Sequence, residues 1–310
     1  MKRREFISKT SKFTLGSIIL SPFIGSGVTY ARSLKSTPNP SEWKDSDINI
    51  AWLGHSSVLI NFYGKIILTD PVLFQRVGIN FLGTTIGPSR LTPPALTVDQ
   101  LPKPDLILLS HVHMDHTDLQ TLEAITDKYP GLIDVVVAYN TKDVVEGLDW
   151  RSLKVLDWGD EANVSHTYIK ALEVKHFGWR YPWEKDRSKG FHNEGRSFNA
   201  YVLERQGARI LFGGDTAYTT KLGDSGEKVD IAIMPVGAYN PWKRNHCNPE
   251  EALRMAKDMD AKIFIPIHCN TFKQSSEPID EPLTWLANSH TNYNMELGIR
   301  NIGETYTQRS

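Results

Sequence analysis

Four side chains that can bind a metal ion fall within six consecutive residues, His-Val-His-Met-Asp-His at 111–116. They follow the apolar run 106–109, which the sequence predicts to be a buried strand. A strand that ends in a loop of ligands fixes a metal site on a rigid scaffold. Histidines two positions apart can bind one ion, while the adjacent Asp115 and His116 can bind a second ion about 3.5–4 Å away. The spacing therefore predicts a site for two metal ions.

Three further candidate ligands follow apolar, strand-like runs later in the chain: His176, Asp215 and His268. A single Asp in such a place can be a helix N-cap, and a single His is more often a satisfied core or surface residue. Taken singly, each of these three positions remains open between a metal-binding role and a structural one.

The H-x-H-x-D-H pattern resembles the signature of the metallo-β-lactamase superfamily. Other segments narrow the resemblance to the N-acylphosphatidylethanolamine-hydrolysing phospholipase D group, with its bacterial relatives and the neighbouring ascorbate-phosphate lactonases. These segments are WLGHSS at 52–57, LTDP at 68–71, GPSR at 87–90, GAY at 237–239, His246 with NPEEA at 248–252, and TF at 271–272. That group often has Trp-Gly where this chain has Cys269-Asn270, so the acyl-binding side of the pocket can differ.

The resemblance implies which residues bind each ion. The ligands would be His111, His113 and His176 for the first ion and Asp115, His116 and His268 for the second, with Asp215 bridging both. Nitrogen and oxygen ligands of this kind favour zinc at both positions, with manganese or iron as alternatives. The resemblance also implies that His55 and Asp70 lie at the back of the site, where Asp70 orients a ligand histidine.

The same resemblance implies hydrolysis by a hydroxide that bridges two divalent metal ions. Asp115 and His246 are the predicted catalytic residues, and His246 would stabilise an oxyanion or the leaving group at the reacting phosphate. Phosphodiester hydrolysis of the N-acylphosphatidylethanolamine phospholipase D type is the first prediction. The alternative is a lactonase or esterase with the same metal site. The non-enzymatic hypothesis is a metal-binding protein without catalysis.

Aromatic and basic residues follow the candidate ligand His176 directly. Among them Trp179, Tyr181 and Trp183 are predicted to bind substrate, together with Tyr239 of the GAY segment. Tryptophan and tyrosine mixed with arginine and lysine are typical of contacts with a membrane interface. The sequence therefore indicates a phospholipid substrate and a peripheral membrane contact, although the aromatic residues could simply cover an edge of the core.

The N-terminus resembles a twin-arginine export signal, with Arg3-Arg4 before a weakly apolar stretch and a cleavage site after Ala31. We predict a signal peptide at 1–31, a flexible arm at 32–47 and a hydrolase domain at 48–310. This order implies a periplasmic enzyme, or one anchored in the membrane by an uncleaved N-terminal segment. Export would permit a disulfide between Cys247 and Cys269, but two buried free thiols are the prediction.

Composition fits a single enzyme domain: 310 residues, 40% hydrophobic, with a net charge of −1. Without a basic excess, binding to a nucleic acid backbone is not expected.

Strand-like runs come first, and strands then alternate with helices predicted at 118–128, 141–148, 249–259 and 282–288, which indicates a layered α/β protein. The connection at 74–104 is long enough to be functional. The resemblance sharpens the fold to a four-layer αββα sandwich.

Overall fold

The computed structural model describes residues 30–81, 84–181, 183, 184, 187 and 198–310. Apart from its last two residues, the predicted signal peptide at 1–31 lies outside these described residues. Within them, no helix combines the length and the apolar character that crossing a bilayer requires.

The first of two large sheets contains seven strands. Their spatial order is β16 (Thr305–Gln308), β1 (Ile48–Gly54), β2 (Ser57–Phe62), β3 (Ile66–Thr69), β6 (Leu106–Leu109), β7 (Asp134–Ala138) and β8 (Ser152–Leu156). The chain runs antiparallel from β16 to β3, and β3, β6, β7 and β8 are parallel to one another. Strands β6 and β7 are fully buried, as expected for parallel strands that are covered on both faces.

The second sheet also contains seven strands. Their order is β15 (Glu296–Leu297), β14 (Ile263–Ile267), β13 (Ile231–Pro235), β12 (Ala208–Phe212), β11 (Ala200–Arg205), β10 (Thr167–Leu172) and β9 (Glu161–Val164). Strands β12 to β15 are parallel, whereas β9 to β12 are antiparallel. Each sheet is therefore mixed, and its parallel strands end at the same edge.

One apolar core joins the two sheets, because buried residues of both belong to a single packed cluster. Tyr201 of the second sheet also donates a hydrogen bond to the carbonyl of Leu109 in the first, at 3.0 Å. The helices are α1 (Leu119–Lys128), α2 (Lys142–Val145), α3 (Lys221–Asp224), α4 (Pro249–Asp258) and α5 (Glu281–Ser289). This arrangement confirms the predicted αββα sandwich.

Local sequence signals explain where the longer helices begin. Helix α4 starts with a capping box, in which Asn248 accepts from the amide of Glu251 and Glu251 accepts from the amide of Asn248, with Pro249 at the first helical position. Asp118 caps α1 by accepting from the amide of Thr121. Both helices follow site residues directly, so their caps also fix the loops that carry those residues.

Three regions differ from their predicted form. The connection at 74–104 contains a small hairpin, β4 (Ile79–Phe81) and β5 (Thr84–Ile86). The helix predicted at 141–148 is only the single turn of α2. Residues 32–47, predicted as a flexible arm, lie against the domain: the Arg32 amide donates to the carbonyl of Leu91 and its guanidinium pairs with Asp280 at 2.6 Å. Both cysteines are buried and unpaired, as predicted.

Candidate metal centre

The topology brings the predicted ligands to one edge of the sandwich. The ligand loop at 111–116 follows β6, Asp215 follows β12 and His268 follows β14, and each of these strands has a parallel neighbour. Carboxyl ends of parallel strands meet at the same edge of a sheet, where loops commonly build sites. His176 reaches the same place from the loop after β10.

Backbone strain is concentrated at this edge. His55, Asp70 and His268 have φ angles of 52°, 34° and 61°, in the left-handed region that non-glycine residues seldom adopt. Gly214, next to Asp215, is also required, because a Cβ there would approach the Cβ of Ser110 to 2.5 Å. The surrounding structure therefore holds several site residues in conformations that they would not choose locally.

The first three histidines converge on one point. The Nε2 atom of His111 lies 2.9 Å from Nδ1 of His113, which is 3.1 Å from Nε2 of His176. His176 donates from Nδ1 to the carbonyl of Asn245 at 2.9 Å, so its Nε2 carries a lone pair. Burial lowers the pKa of each of the three imidazoles, that of His113 to about 4, which favours the neutral form that binds metals.

Asp115, His116, His268 and Asp215 form a second cluster beside the first. One carboxylate oxygen of Asp215 lies 3.3 Å from Nε2 of His116 and 3.0 Å from Nε2 of His268. An oxygen of Asp115 faces the same two nitrogens at 3.8 and 3.5 Å. The Asp215 oxygen is also 3.9 Å from Nε2 of His176, so this carboxylate reaches both clusters. The seven predicted ligands are therefore together, and Asp215 is between the two groups.

Unsatisfied polar atoms show that these residues fit metal ions. Among the described residues, Nε2 of His116, Nε2 of His268 and Oδ1 of Asp215 are buried without a hydrogen-bond partner, which is costly. Burial lowers the pKa of His268, but Asp215 and Asp115 outweigh it and raise that pKa to about 9. The carboxylates thus favour positive charge at this point, and a divalent cation would both supply it and satisfy the orphaned atoms.

Asp70 fixes the tautomers of ligands in both clusters. It accepts directly from Nδ1 of His116 at 2.7 Å and from the Ser110 hydroxyl at 2.5 Å. Because that hydroxyl donates to Asp70, it accepts from Nδ1 of His111 at 2.9 Å. In the neutral form of each histidine the proton therefore stays on Nδ1, and Nε2 is left free to bind a metal ion. Asp70 thus lies behind the ligand histidines, and Ser110, which no sequence pattern marked, links it to His111.

The two predicted catalytic residues, Asp115 and His246, line one cavity. His246 is 9% exposed, and its Nδ1 lies 3.6 Å from Asp215 with no hydrogen-bond partner within the described part of the chain. Burial lowers the pKa of His246 to about 4, so its imidazole is neutral at pH 7. Asp115 accepts from Nε2 of His55 at 3.0 Å and from the side-chain amide of Gln274 at 2.7 Å. Gln274 follows the TF segment and was not singled out from the sequence.

The predicted substrate-binding residues separate into two groups. Trp179 lines the cavity, which has a volume of about 1050 Å³. The predicted ligands His113, Asp115, Asp215 and His268 line the same cavity. Tyr181 and Trp183 stack on each other at 5.2 Å outside its wall. Tyr239 is buried, and its hydroxyl donates to Glu281 of α5 at 2.6 Å. Trp242, which the sequence analysis did not single out, lines the cavity and is 51% exposed.

Comparisons with known proteins agree with this geometry. Residues 65–269 match the model of the beta-lactamase superfamily domain. The chain is 32% identical to the mitochondrial N-acyl-phosphatidylethanolamine-hydrolyzing phospholipase D of Saccharomyces cerevisiae, over 74% of this chain and 49% of that protein. It is 28% identical to a UPF0173 metal-dependent hydrolase of Ligilactobacillus salivarius, over 76% of this chain and 90% of the relative. Igni18, a metallo hydrolase from Ignicoccus hospitalis, has a similar structure, with a TM-score of 0.61 and 16% identity over 85% of this chain and 99% of that one.

The chain belongs to the metallo-β-lactamase superfamily. It spans about half the length of the yeast phospholipase and 65% of the length of the Mycobacterium tuberculosis proteins that it also matches. The particular substrate is therefore a matter for proposal.

Proposed function

We propose that the protein is a phosphodiesterase that uses two zinc ions to hydrolyse N-acylated phosphatidylethanolamine or a related glycerophosphodiester on the phosphatidic side. The single observation that carries this proposal is the cavity of about 1050 Å³ that opens onto His113, Asp115 and His246. A volume of this size is at the upper end of small-molecule sites and accommodates acyl chains as well as a headgroup. The phospholipase relatives at about 30% identity support the same choice.

The cavity is lined by both apolar and polar side chains. The apolar ones include Val77, Phe177, Trp179, Pro241 and Trp242. The polar ones include Arg180, Asn245, Lys273, Gln274 and Ser276. A ligand with both acyl chains and a polar headgroup would match this mixed lining, because apolar surface favours the chains while amide and ammonium groups can hydrogen-bond to the headgroup.

Bound divalent ions would lower the pKa of a water molecule and neutralise charge on a phosphoryl group. The chain's own residues orient the metal ligands. Asp70 sets the tautomers of His111 and His116, and Asp215 faces both clusters. His246, neutral at pH 7, can donate one hydrogen bond to a phosphate oxygen as negative charge develops there. In the overall reaction, water adds its oxygen to phosphorus and the bond from phosphorus to the leaving alcohol breaks.

A lactonase or esterase is the second candidate, because the same water could attack a carbonyl carbon. Lys273 favours it: this side chain lies in the cavity wall, and an ammonium group would attract a small anionic lactone. The many apolar residues in the lining have no role with such a substrate, and for that reason we place the phosphodiester first.

Hydrolysis in isotope-labelled water tests the reaction. The purified protein, loaded with zinc, is incubated with a short-chain N-acylated phosphodiester and, separately, with a panel of lactones. We expect phosphodiester turnover with labelled oxygen in the phosphate-containing product, because water attacks phosphorus. Lactone opening without any phosphodiester turnover would transfer the assignment to the lactonase, and label in the alcohol product would exclude attack at phosphorus.

Exposed tryptophans in and near the cavity wall support the proposal that the enzyme contacts a membrane. Trp179, Trp183 and Trp242 are 50%, 74% and 51% exposed, which is unusual for tryptophan. Lys243 and Arg244 follow Trp242 on the surface. Indole rings insert at the headgroup level of a bilayer, and basic residues beside them are attracted to anionic lipids. A membrane surface would therefore lie where the acyl chains must enter.

A further inference from the structure

One oxygen of the ligand Asp115 is held from two sides. It accepts a hydrogen bond from Nε2 of His55 at 3.0 Å and another from the side-chain amide of Gln274 at 2.7 Å. The same oxygen faces His268 and His116, the other histidines of the second cluster, at 3.5 and 3.8 Å. Both hydrogen bonds therefore act on the atom that points toward the second metal position.

The two donors approach from different environments. His55 is buried at the back of the site, with 1% of its surface exposed. Gln274 lies in the cavity wall. A carboxylate only accepts hydrogen bonds, so the nitrogen of the Gln274 amide must face Asp115. His55 is thus part of the buried interior, whereas Gln274 is only half-buried and faces the cavity.

The backbone around Gln274 is anchored on both sides. On one side, Thr271 accepts from the amide of His55 at 2.6 Å and Phe272 forms a β-bridge with Arg90. On the other side, the amide of Ser276 donates to the carbonyl of Asn240 at 2.8 Å. Because this segment also follows the ligand His268 directly, the side chain of Gln274 starts from a well-defined position close to the site.

We propose that Gln274 is a positioning residue for the second metal ion, which orients the carboxylate of Asp115 through its side-chain amide. Hydrogen bonds to ligand side chains typically contribute about 10–100-fold to metal affinity. The contacts that orient His111 and His176, to Ser110 and Asn245, do not involve Gln274. Its effect should therefore be confined to the second ion. This role rests on the two-metal centre of the proposed function and is independent of the substrate.

Zinc titration of the metal-free protein tests this assignment without any substrate. Wild type, Gln274→Met and Gln308→Met are each titrated in competition with a chromophoric zinc chelator. Methionine keeps the length of the glutamine side chain but has no N–H donor. Gln308, in the outer strand β16, provides the same substitution at the far edge of the first sheet. Thermal unfolding of each metal-free variant shows whether the fold is retained.

We expect Gln274→Met to weaken the second binding step about 10–100-fold and leave the first unchanged, with both steps of Gln308→Met as in wild type. A second step equal to that of wild type would overturn the proposal. Equal weakening of both steps would also overturn it, since that result indicates a general effect on the fold. Wild-type protein that binds a single ion would overturn both this role and the two-metal centre, whereas a failed phosphodiester assay would leave the titration result intact.

Discussion

Four histidines face one oxygen of Asp215, and two of them, His268 and His246, are expected to differ in what they contribute. Nε2 of His268 lies 3.0 Å from this oxygen and also faces Asp115 at 3.5 Å, so it belongs to the second cluster. Nδ1 of His246 is 3.6 Å away, and both side chains line the cavity. We propose that His268 holds a metal ion and that His246 contacts the substrate.

Substitutions of the proposed metal ligands and of His246 separate these two roles. We expect His268→Ala and Asp115→Asn each to lower kcat/KM by at least about 1000-fold and to reduce the metal content, because both misplace the second ion. His246→Ala should lower kcat about 10–1000-fold, as for the loss of one group that stabilises the transition state, with the metal content unchanged. Steady-state kinetics and metal analysis of the same preparations check both statements. Loss of metal from His246→Ala would contradict the assigned role.

Asp134 connects β7 to its neighbour β8 and to a turn of the second sheet. This residue begins β7 and accepts from Arg151, just before β8, and from Ser152, the first residue of β8, each at 2.8 Å. The hydroxyl of Ser165, in the turn between β9 and β10, also donates to it at 2.8 Å. Burial raises the pKa of Asp134, but these hydrogen bonds, above all that from Arg151, outweigh burial and lower it.

A lowered pKa in the folded state makes the contribution of Asp134 to stability depend on pH. The contribution is present above the unfolded value of about 3.9 and is lost as the pH falls through the lower folded value. We expect Asp134→Asn to lower Tm by about 2–4 °C at pH 7 and to match wild type progressively as the solution is acidified below about pH 4. Thermal unfolding across this range, with the exposed Asp127→Asn as control, measures it. A constant difference at every pH would exclude the ionic contribution.

The aromatic segment after β10 is expected to contribute to binding at a membrane. Trp179→Ser combined with Trp183→Ser should reduce turnover on anionic phospholipid vesicles about 10-fold or more and have a much smaller effect on a soluble short-chain diester, because exposed indoles contribute to interfacial binding. Vesicle co-sedimentation and parallel kinetics on both substrates measure the difference. Leu132→Ser is the control, since Leu132 is 50% exposed and precedes β7, at the opposite edge from the site. Equal losses on both substrates would indicate a role inside the cavity instead.

For the whole molecule, local patterns account for most of what the sequence predicted. Apolar runs marked the strands that end at the site, and H-x-H-x-D-H marked the ligand loop after β6, since both are short-range features. Neither pattern says which strands are neighbours, and the four-layer fold came from the resemblance. Contacts between distant residues were missed for the same reason: Gln274 reaches Asp115 across 159 positions, and the polar strand β16 pairs with β1 at the other end of the domain.

The proposed location of the protein rests on its first residues, which lie outside the described part of the chain. We propose that Arg3-Arg4 and the weakly apolar stretch after them direct folded protein to the periplasm by twin-arginine export, with cleavage after Ala31. Cleavage there would leave Arg32 at the new N-terminus, where its guanidinium pairs with Asp280 and its backbone nitrogen contacts the carbonyl of Leu91. The mature chain would therefore begin at a residue that the domain holds.

Replacing both arginines tests this proposal. Arg3→Lys combined with Arg4→Lys should trap the full-length precursor in the cytoplasm, because lysine keeps the positive charge but lacks the planar guanidinium of arginine. Lys12→Arg, in the same segment, should be exported as wild type is. Cell fractionation with N-terminal sequencing of the periplasmic product measures both the location and the cleavage site. Normal export of the double variant would refute the twin-arginine assignment, and an intact N-terminus in the membrane fraction would favour the uncleaved anchor.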